Sequence, residues 1–259
     1  MEGLADILAR ADAAVVTAMG VFARVGAAAF LVPGLGERAV PVRVRLAVAL
    51  ALTGLLTPLV GTLIPEAPRT VPALVLVLLA EAAAGLLIGL ALRMSIFVLQ
   101  IAGTTVAYHL SITHMFGSGV APEPEPTIAT FLSLGGVVLA MNAGLHVALV
   151  AALAGLYETL PFGVFPLAAD AGAWSVSRIA HVFAAGVALA LPFVVISFLY
   201  NLALGALNRA MPQLLVALVG VPLLVGLGLA TLYLVLPAIY DRWAPLLAAT
   251  LTDPLGDLH

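Results

Sequence analysis

The chain has no cysteine and no lysine, and only 9% of its 259 residues are charged. Without cysteine there is no disulfide, no thiol nucleophile and no thiolate metal site. All ten basic residues are arginine, which reads as a coding bias rather than a functional signal. A soluble domain carries about 25% charged residues, so the shortage of charge excludes an ordinary water-solvated globule. The net charge of −3 leaves no basic surface for nucleic acid. A cleaved signal is not expected either: Glu2, Asp6 and Asp12 stand where one would be basic, and the first apolar run is longer than its hydrophobic region.

What the chain does have is apolar surface, at 63% hydrophobic residues. That much can be covered only by lipid or by other apolar subunits. The runs are continuous and rich in Ala and Leu, not alternating as in a transmembrane barrel. The fold class expected is therefore all-α, a polytopic membrane protein of kinked helical hairpins. A span needs about 20 apolar residues. On that criterion helices are expected near 12–32, 42–64, 71–110, 127–158, 176–208 and 212–240. The third is too long for one crossing and is expected to break or bend near Arg93.

Between these runs, Pro33-Gly34-Leu35-Gly36 ends the first helix and Pro41 opens the second. The run Pro122-Glu123-Pro124-Glu125-Pro126 must be extended, because each Pro drives its predecessor out of the helical region. Pro58, Pro192, Pro222 and Pro237 lie inside apolar runs, where each removes a backbone hydrogen bond. Gly85 and Gly89 form a GxxxG, the kind of small-residue pair that lets helices approach closely in lipid. Arginine placement gives no orientation. Arg38, Arg43, Arg45 and Arg209 on one side balance Arg10, Arg69, Arg178 and Arg242 on the other.

Enzyme chemistry finds little footing. His109, His114, His146 and His181 have no metal-binding spacing and there is no HExxH. Gly117-Ser118-Gly119 is not a nucleophile elbow. Gly34-Leu35-Gly36 follows a helix where a dinucleotide fingerprint would follow a strand. No cofactor is expected. Three charges, Arg24, Glu81 and Arg93, fall inside apolar runs, where an isolated charge would cost several kcal/mol. They read either as a proton or ion path or, more simply, as groups that find partners on neighbouring helices or subunits or sit at an interface facing water. Glu81 and Arg93 are twelve residues apart, too far for a direct pair on a straight helix.

Two segments stand out. Residues 108–121, YHLSITHMFGSGVA, set Leu110, Ile112, Met115 and Phe116 beside a hinge that begins at Gly117. An ordinary exposed loop would not carry Met and Phe together, so this one is expected to plug or line a constriction. Residues 201–213, NLALGALNRAMPQ, set Asn201, Asn208, Arg209 and Gln213 in an otherwise apolar third. With helix-length apolar runs on either side, they read as the tip of a tight helical hairpin. Gly205 would permit close packing and Pro212 would start the second limb.

The order of these pieces resembles the FliR/SctT family of type III protein export, the flagellar branch most closely. The resemblance lies in Phe22 to Gly26, Pro33 to Gly36, Pro41 to Leu46, Gln100 to Gly103, Gly144-Leu145-His146 and Leu160 to Gly163. It is strongest at Asn201 to Gly205, Arg209 to Gln213 and Gly220-Val221-Pro222. The chain departs from the family pattern after Gln213, where Leu214-Leu215-Val216 replaces Asn-Val-Phe, and after Pro222, where Leu223 replaces Lys. The resemblance implies an export-gate subunit and not an enzyme. Residues 1–175 would be FliP-like and include a gate loop at 108–126; 176–245 would be a FliQ-like hairpin and 246–259 a polar tail. FliP-like and FliQ-like subunits would be the partners in the pore, with FlhA-like and FlhB-like components beside them. Unfolded protein would pass through at the bacterial inner membrane, at the flagellar basal body. The competing reading is a stand-alone secondary transporter of small solutes that uses Arg24, Glu81 and Arg93 for coupling, although no related halves are visible.

Arg209→Leu is expected to weaken assembly, measured as the yield of complex recovered with FliP- and FliQ-type subunits. A variant that assembles fully but does not export would place Arg209 in gating instead.

Overall fold

A computed structural model describes residues 2–37, 39–63, 70–109, 127–166, 168–210 and 216–256. Every regular element among them is helical: α1 (Glu2–Ala29), α2 (Val42–Val60) with a 3₁₀ turn at Gly61–Leu63, α3 (Val71–His109), α4 (Thr127–Asn142), α5 (Leu145–Thr159), α6 (Ala168–Ala210) and α7 (Val216–Thr252). Among the described residues four helices are long and apolar enough to cross a membrane, and the bent pair α4–α5 supplies a fifth span if it counts as one.

The helices follow the apolar runs, and the differences have local causes. The run 127–158 is not one helix. Gly144 takes φ +87°, its N–H bonds the Met141 carbonyl at 3.1 Å, and α4 and α5 meet at 76°. A left-handed residue ends a helix, and glycine adopts that conformation without a Cβ penalty. In contrast, α3 does not break near Arg93. It runs 39 residues without interruption, about 58 Å at 1.5 Å per residue, nearly twice a hydrocarbon layer of about 30 Å. No proline lies between Pro72 and Pro122, so nothing removes a rung from its ladder.

The C-terminal end also departs from expectation. Instead of stopping at 240 before a polar tail, α7 continues to Thr252. Leu247, Thr250 and Leu255 are buried, and the Arg178 guanidinium donates to the Thr250 hydroxyl. α6 begins at Ala168, so the expected division at 175 falls inside a helix.

The chain forms two compact units. The first comprises 1–94, 140–178 and 247–259; the second comprises 95–139 and 179–246. In the first unit α1 packs on α2, and α2 on α5. α1 also lies directly on α3 through Gly85 and Gly89. A Cβ on Gly85 would collide with the Arg24 carbonyl, and one on Gly89 would sit 2.9 Å from the Ala28 carbonyl. The GxxxG therefore joins two helices of this chain. In the second unit Gly103 admits the backbone of α4, and Gly186 on α6 would bring a Cβ within 2.7 Å of Ile101. Trp243 is buried there, and its indole N–H donates to the Ser95 carbonyl at 2.7 Å.

Gly85→Ala is expected to destabilise the purified chain by about 1–3 kcal/mol through overpacking. Gly205→Ala, where a Cβ would meet nothing within 4 Å, is expected to leave the isolated chain unchanged. Thermal unfolding in one detergent reads both, and equal effects would show that the α1–α3 approach is not tight.

Candidate functional site

Arg24 lies on α1 and Glu81 on α3, each in the middle of an apolar run, and both side chains are fully buried. Neither charge is tolerable alone in that setting. They pair in fork geometry: Arg24 Nε donates to Glu81 Oε2 at 2.8 Å and Nη2 to Oε1 at 3.0 Å. Gly163 N–H donates to Oε1 at 2.8 Å and the Tyr157 hydroxyl to Oε2 at 3.3 Å. The carboxylate thus accepts four hydrogen bonds, about all it can accept. On the other side Nη2 also donates to the Leu160 carbonyl at 3.0 Å. Nη1 is buried without a hydrogen-bond partner among the described residues. The guanidinium lies over the Tyr157 ring at 3.7 Å, and the ring face compensates part of its charge.

This cluster ties α1, α3, the end of α5 and the turn at 160–163 to one point. Gly163 takes φ +75° at that turn, which allows its N–H to face the carboxylate. Chemically, a proton or ion carrier must exchange partners, whereas every lone pair of Glu81 is already engaged. The arrangement is a structural clamp.

Arg93 is a different case. Its side chain is 21% exposed, so it is half-buried rather than buried, and it pairs with Glu37 in the loop after α1. The same loop is held by Arg45, whose guanidinium donates to the carbonyls of Leu35, Glu37 and Val40 at 3.0–3.3 Å. Arg45 also lies 5.3 Å from the Phe30 ring centre. The Pro-Gly-Leu-Gly segment is thereby fixed between two arginines.

Of the hairpin residues, Asn201, Gly205 and Arg209 fall at intervals of four on α6. With Leu202 and Ala206 they line a surface depression of about 610 Å³. All three are exposed. Asn201 is engaged within its own chain, donating to the Ser197 carbonyl at 2.8 Å and hydroxyl at 3.3 Å. Pro212 and Gln213 lie outside the described residues, as does the side chain of Asn208. So do Leu110, Ile112, Met115, Phe116 and Gly117 of the expected gate loop.

Sequence reasoning passed over Tyr157, Glu37 and Ser197. Tyr157 and Glu37 carry signals only in retrospect, as polar groups at the ends of apolar runs. Ser197 sits four residues before Asn201, a spacing that places the two on one helix face.

Residues 15–250 match the profile of bacterial export proteins, family 1. The flagellar biosynthetic protein FliR of Caulobacter vibrioides is 37% identical over 224 residues, covering 86% of this chain and 89% of that protein. FliR of Pectobacterium carotovorum is 28% identical over 240 residues, covering 92% of this chain and 90% of its own. FliR of Escherichia coli K12 is 29% identical over 214 residues, or 80% of this chain and 79% of that one.

Arg24→Met and Glu81→Leu are each expected to destabilise the chain by about 3–5 kcal/mol, and the double variant to recover most of the loss. Unfolding in detergent measures the cycle. Single variants as stable as the parent would show that the cluster does not hold the first unit together.

Proposed function

The chain belongs to the bacterial export proteins, family 1, and from that membership we propose that it is a subunit of the flagellar type III export gate. The observation that carries the reading is the match to FliR proteins over most of both chains, 37% identical in the Caulobacter case. The apolar surface fits the same role. Phe198, Leu202, Tyr233 and Leu234 are all exposed, Tyr233 at 80% and Leu234 at 74%. Surface of that kind is stable only against lipid or other apolar protein.

In this reading the chain acts by packing and steric gating, not by catalysis. It assembles with FliP-like and FliQ-like subunits around a channel for unfolded protein, in the inner membrane at the flagellar basal body, with FlhA-like and FlhB-like components alongside. Residues 1–175 play the FliP-like part, 176–245 the FliQ-like hairpin, and 108–126 the gate loop with Leu110, Ile112, Met115, Phe116 and Gly117. Asn201, Gly205, Asn208, Arg209, Pro212 and Gln213 form the surface that meets neighbouring subunits. Helices α3, α6 and α7, of 39, 43 and 37 residues, are longer than a simple crossing requires, which fits an assembly that extends out of the bilayer plane. A solute transporter coupled through Arg24, Glu81 and Arg93 lacks a chemical basis, since Arg24 pairs with Glu81 and Arg93 with Glu37.

Co-expression with FliP- and FliQ-type subunits is expected to give a stable mixed complex. Removing residues 109–117 should leave that complex intact while raising ion leak across the membrane. A monodisperse chain that binds a solute alone would overturn the export-gate reading. A deletion that leaves leak unchanged would overturn the gate assignment of the loop.

A further inference from the structure

Apolarity alone does not set how α7 is turned about its own axis. Leu223, Leu227, Leu229 and Leu234 point outward at 42–74% exposed, while Leu224 and Leu247 are buried. Against lipid or apolar subunits a leucine gains little from either position. The rotation is chosen by groups that bind in one direction only. We infer that Tyr240 and Trp243 are the positioning residues that choose it, with Gly135 and Gly136 opening the notch on α4 that receives them.

The Trp243 indole is buried, and its N–H donates to the Ser95 carbonyl of α3 at 2.7 Å. About one turn earlier the Tyr240 hydroxyl donates to the Leu132 carbonyl of α4 at 3.1 Å. The two rings meet edge to face with their centres 6.4 Å apart, a favoured aromatic geometry. Helical side chains lean back over the preceding turn, so a Cβ at position 135 would cover the Leu132 carbonyl. Residue 135 is glycine, and a Cβ there would collide with the Tyr240 hydroxyl oxygen. A Cβ on Gly136 would collide with Leu99 of α3 and stand 3.3 Å from the Trp243 ring. Two adjacent glycines weaken a helix interior; here each admits a side chain from another helix.

The consequence lies in what α7 shows on its outer side. Asp241 and Arg242, between the two anchors, are exposed, as are Tyr233 and Leu234 two turns earlier. The cost of burying either charge bars a broad arc of rotations, whereas the two hydrogen bonds weaken steeply with angle and fix one. Tyr240 and Trp243 thereby decide which face of α7 is offered to neighbours. That those neighbours are export-gate subunits rests on the export-gate reading; the register of α7 does not.

Allele-specific rescue tests the inference in the full chain. Gly135→Ala is expected to raise the unfolding equilibrium constant in detergent by about five- to a hundredfold, through overpacking. Tyr240→Phe alone is expected to raise it by about two- to tenfold, through one lost hydrogen bond. Because Phe lacks the oxygen that a Cβ would strike, the double variant should return to the value of Tyr240→Phe. Gly136→Ala faces Leu99 and Trp243 instead, and Tyr240→Phe should not rescue it. The chain has two tryptophans, so Trp174→Phe leaves Trp243 to report its own burial through quenching by acrylamide and by lipid brominated in its acyl chains. Quenching should be low in that parent, higher with Gly135→Ala and low again in the double variant. Recovery of complex with FliP- and FliQ-type subunits should fall and return in the same order. No effect of Gly135→Ala on unfolding and quenching would overturn the inference, as would purely additive effects in the double variant or equal rescue of Gly136→Ala. If the parent chain forms no complex, the export-gate reading fails while unfolding and quenching still decide the role of Tyr240 and Trp243.

Discussion

A guanidinium and a carboxylate with no access to water can persist only together, and the first unit is arranged around that requirement. Arg24 and Glu81 meet at 2.8 Å with both side chains fully buried. Because one is on α1 and the other on α3, the two helices must lie close enough for the fork to close. Gly85 and Gly89 supply that closeness by letting the α1 backbone rest on α3 where side chains would stand. The remaining lone pairs of Glu81 then recruit Tyr157 from α5 and Gly163 from the turn that follows. A single charge placed in an apolar run thus determines which helices neighbour it, a specificity that apolar contacts alone supply poorly.

How far this was legible in the sequence depends on the range of the interaction. Helix existence is local: continuous apolar runs marked every long helix, and the turns at Pro33 and Pro41 marked the first boundary. The break at Gly144 was also local and could have been found, since Asn142-Ala143-Gly144 is a helix-stop pattern within an otherwise unbroken run. The extension of α7 past Pro245 was obscured by the polar residues Thr252 and Asp253, although Leu247 and Thr250 keep helical spacing. Pairing is different. Glu81 and Arg93 are too far apart along α3 to bond, but their partners lie 57 and 56 residues away. No spacing rule reaches across that distance, because it depends on how whole helices pack. The burial of Arg24 and Glu81 was legible; the identity of their partners was not.

The same distinction separates the two polar features of the C-terminal third. Asn201 opens a stretch that looks like an interruption meant for neighbouring subunits, yet its amide is occupied within its own helix and backs the Ser197 hydroxyl. Gly205 and Arg209, four and eight residues further on, are exposed, and a Cβ at Gly205 would meet nothing. One helix face therefore changes character along its length, from bonding α3 at Ser197 to presenting open surface at Arg209.

That change sets the exposed part of α6 close to its bonded part. A subunit seated near Gly205 and Arg209 would lie one to two turns from Asn201, since each turn advances about 5.4 Å. Asn201 bonds directly to Ser197, and Ser197 to the His109 carbonyl on α3. Two hydrogen bonds therefore join Asn201 to α3 by way of the Ser197 hydroxyl. The clamp at Arg24 and Glu81 has every bond of its carboxylate engaged and is built to stay closed. The link between α6 and α3 at Ser197 rests on one hydrogen bond between helices, and of the two arrangements it has the fewer partners.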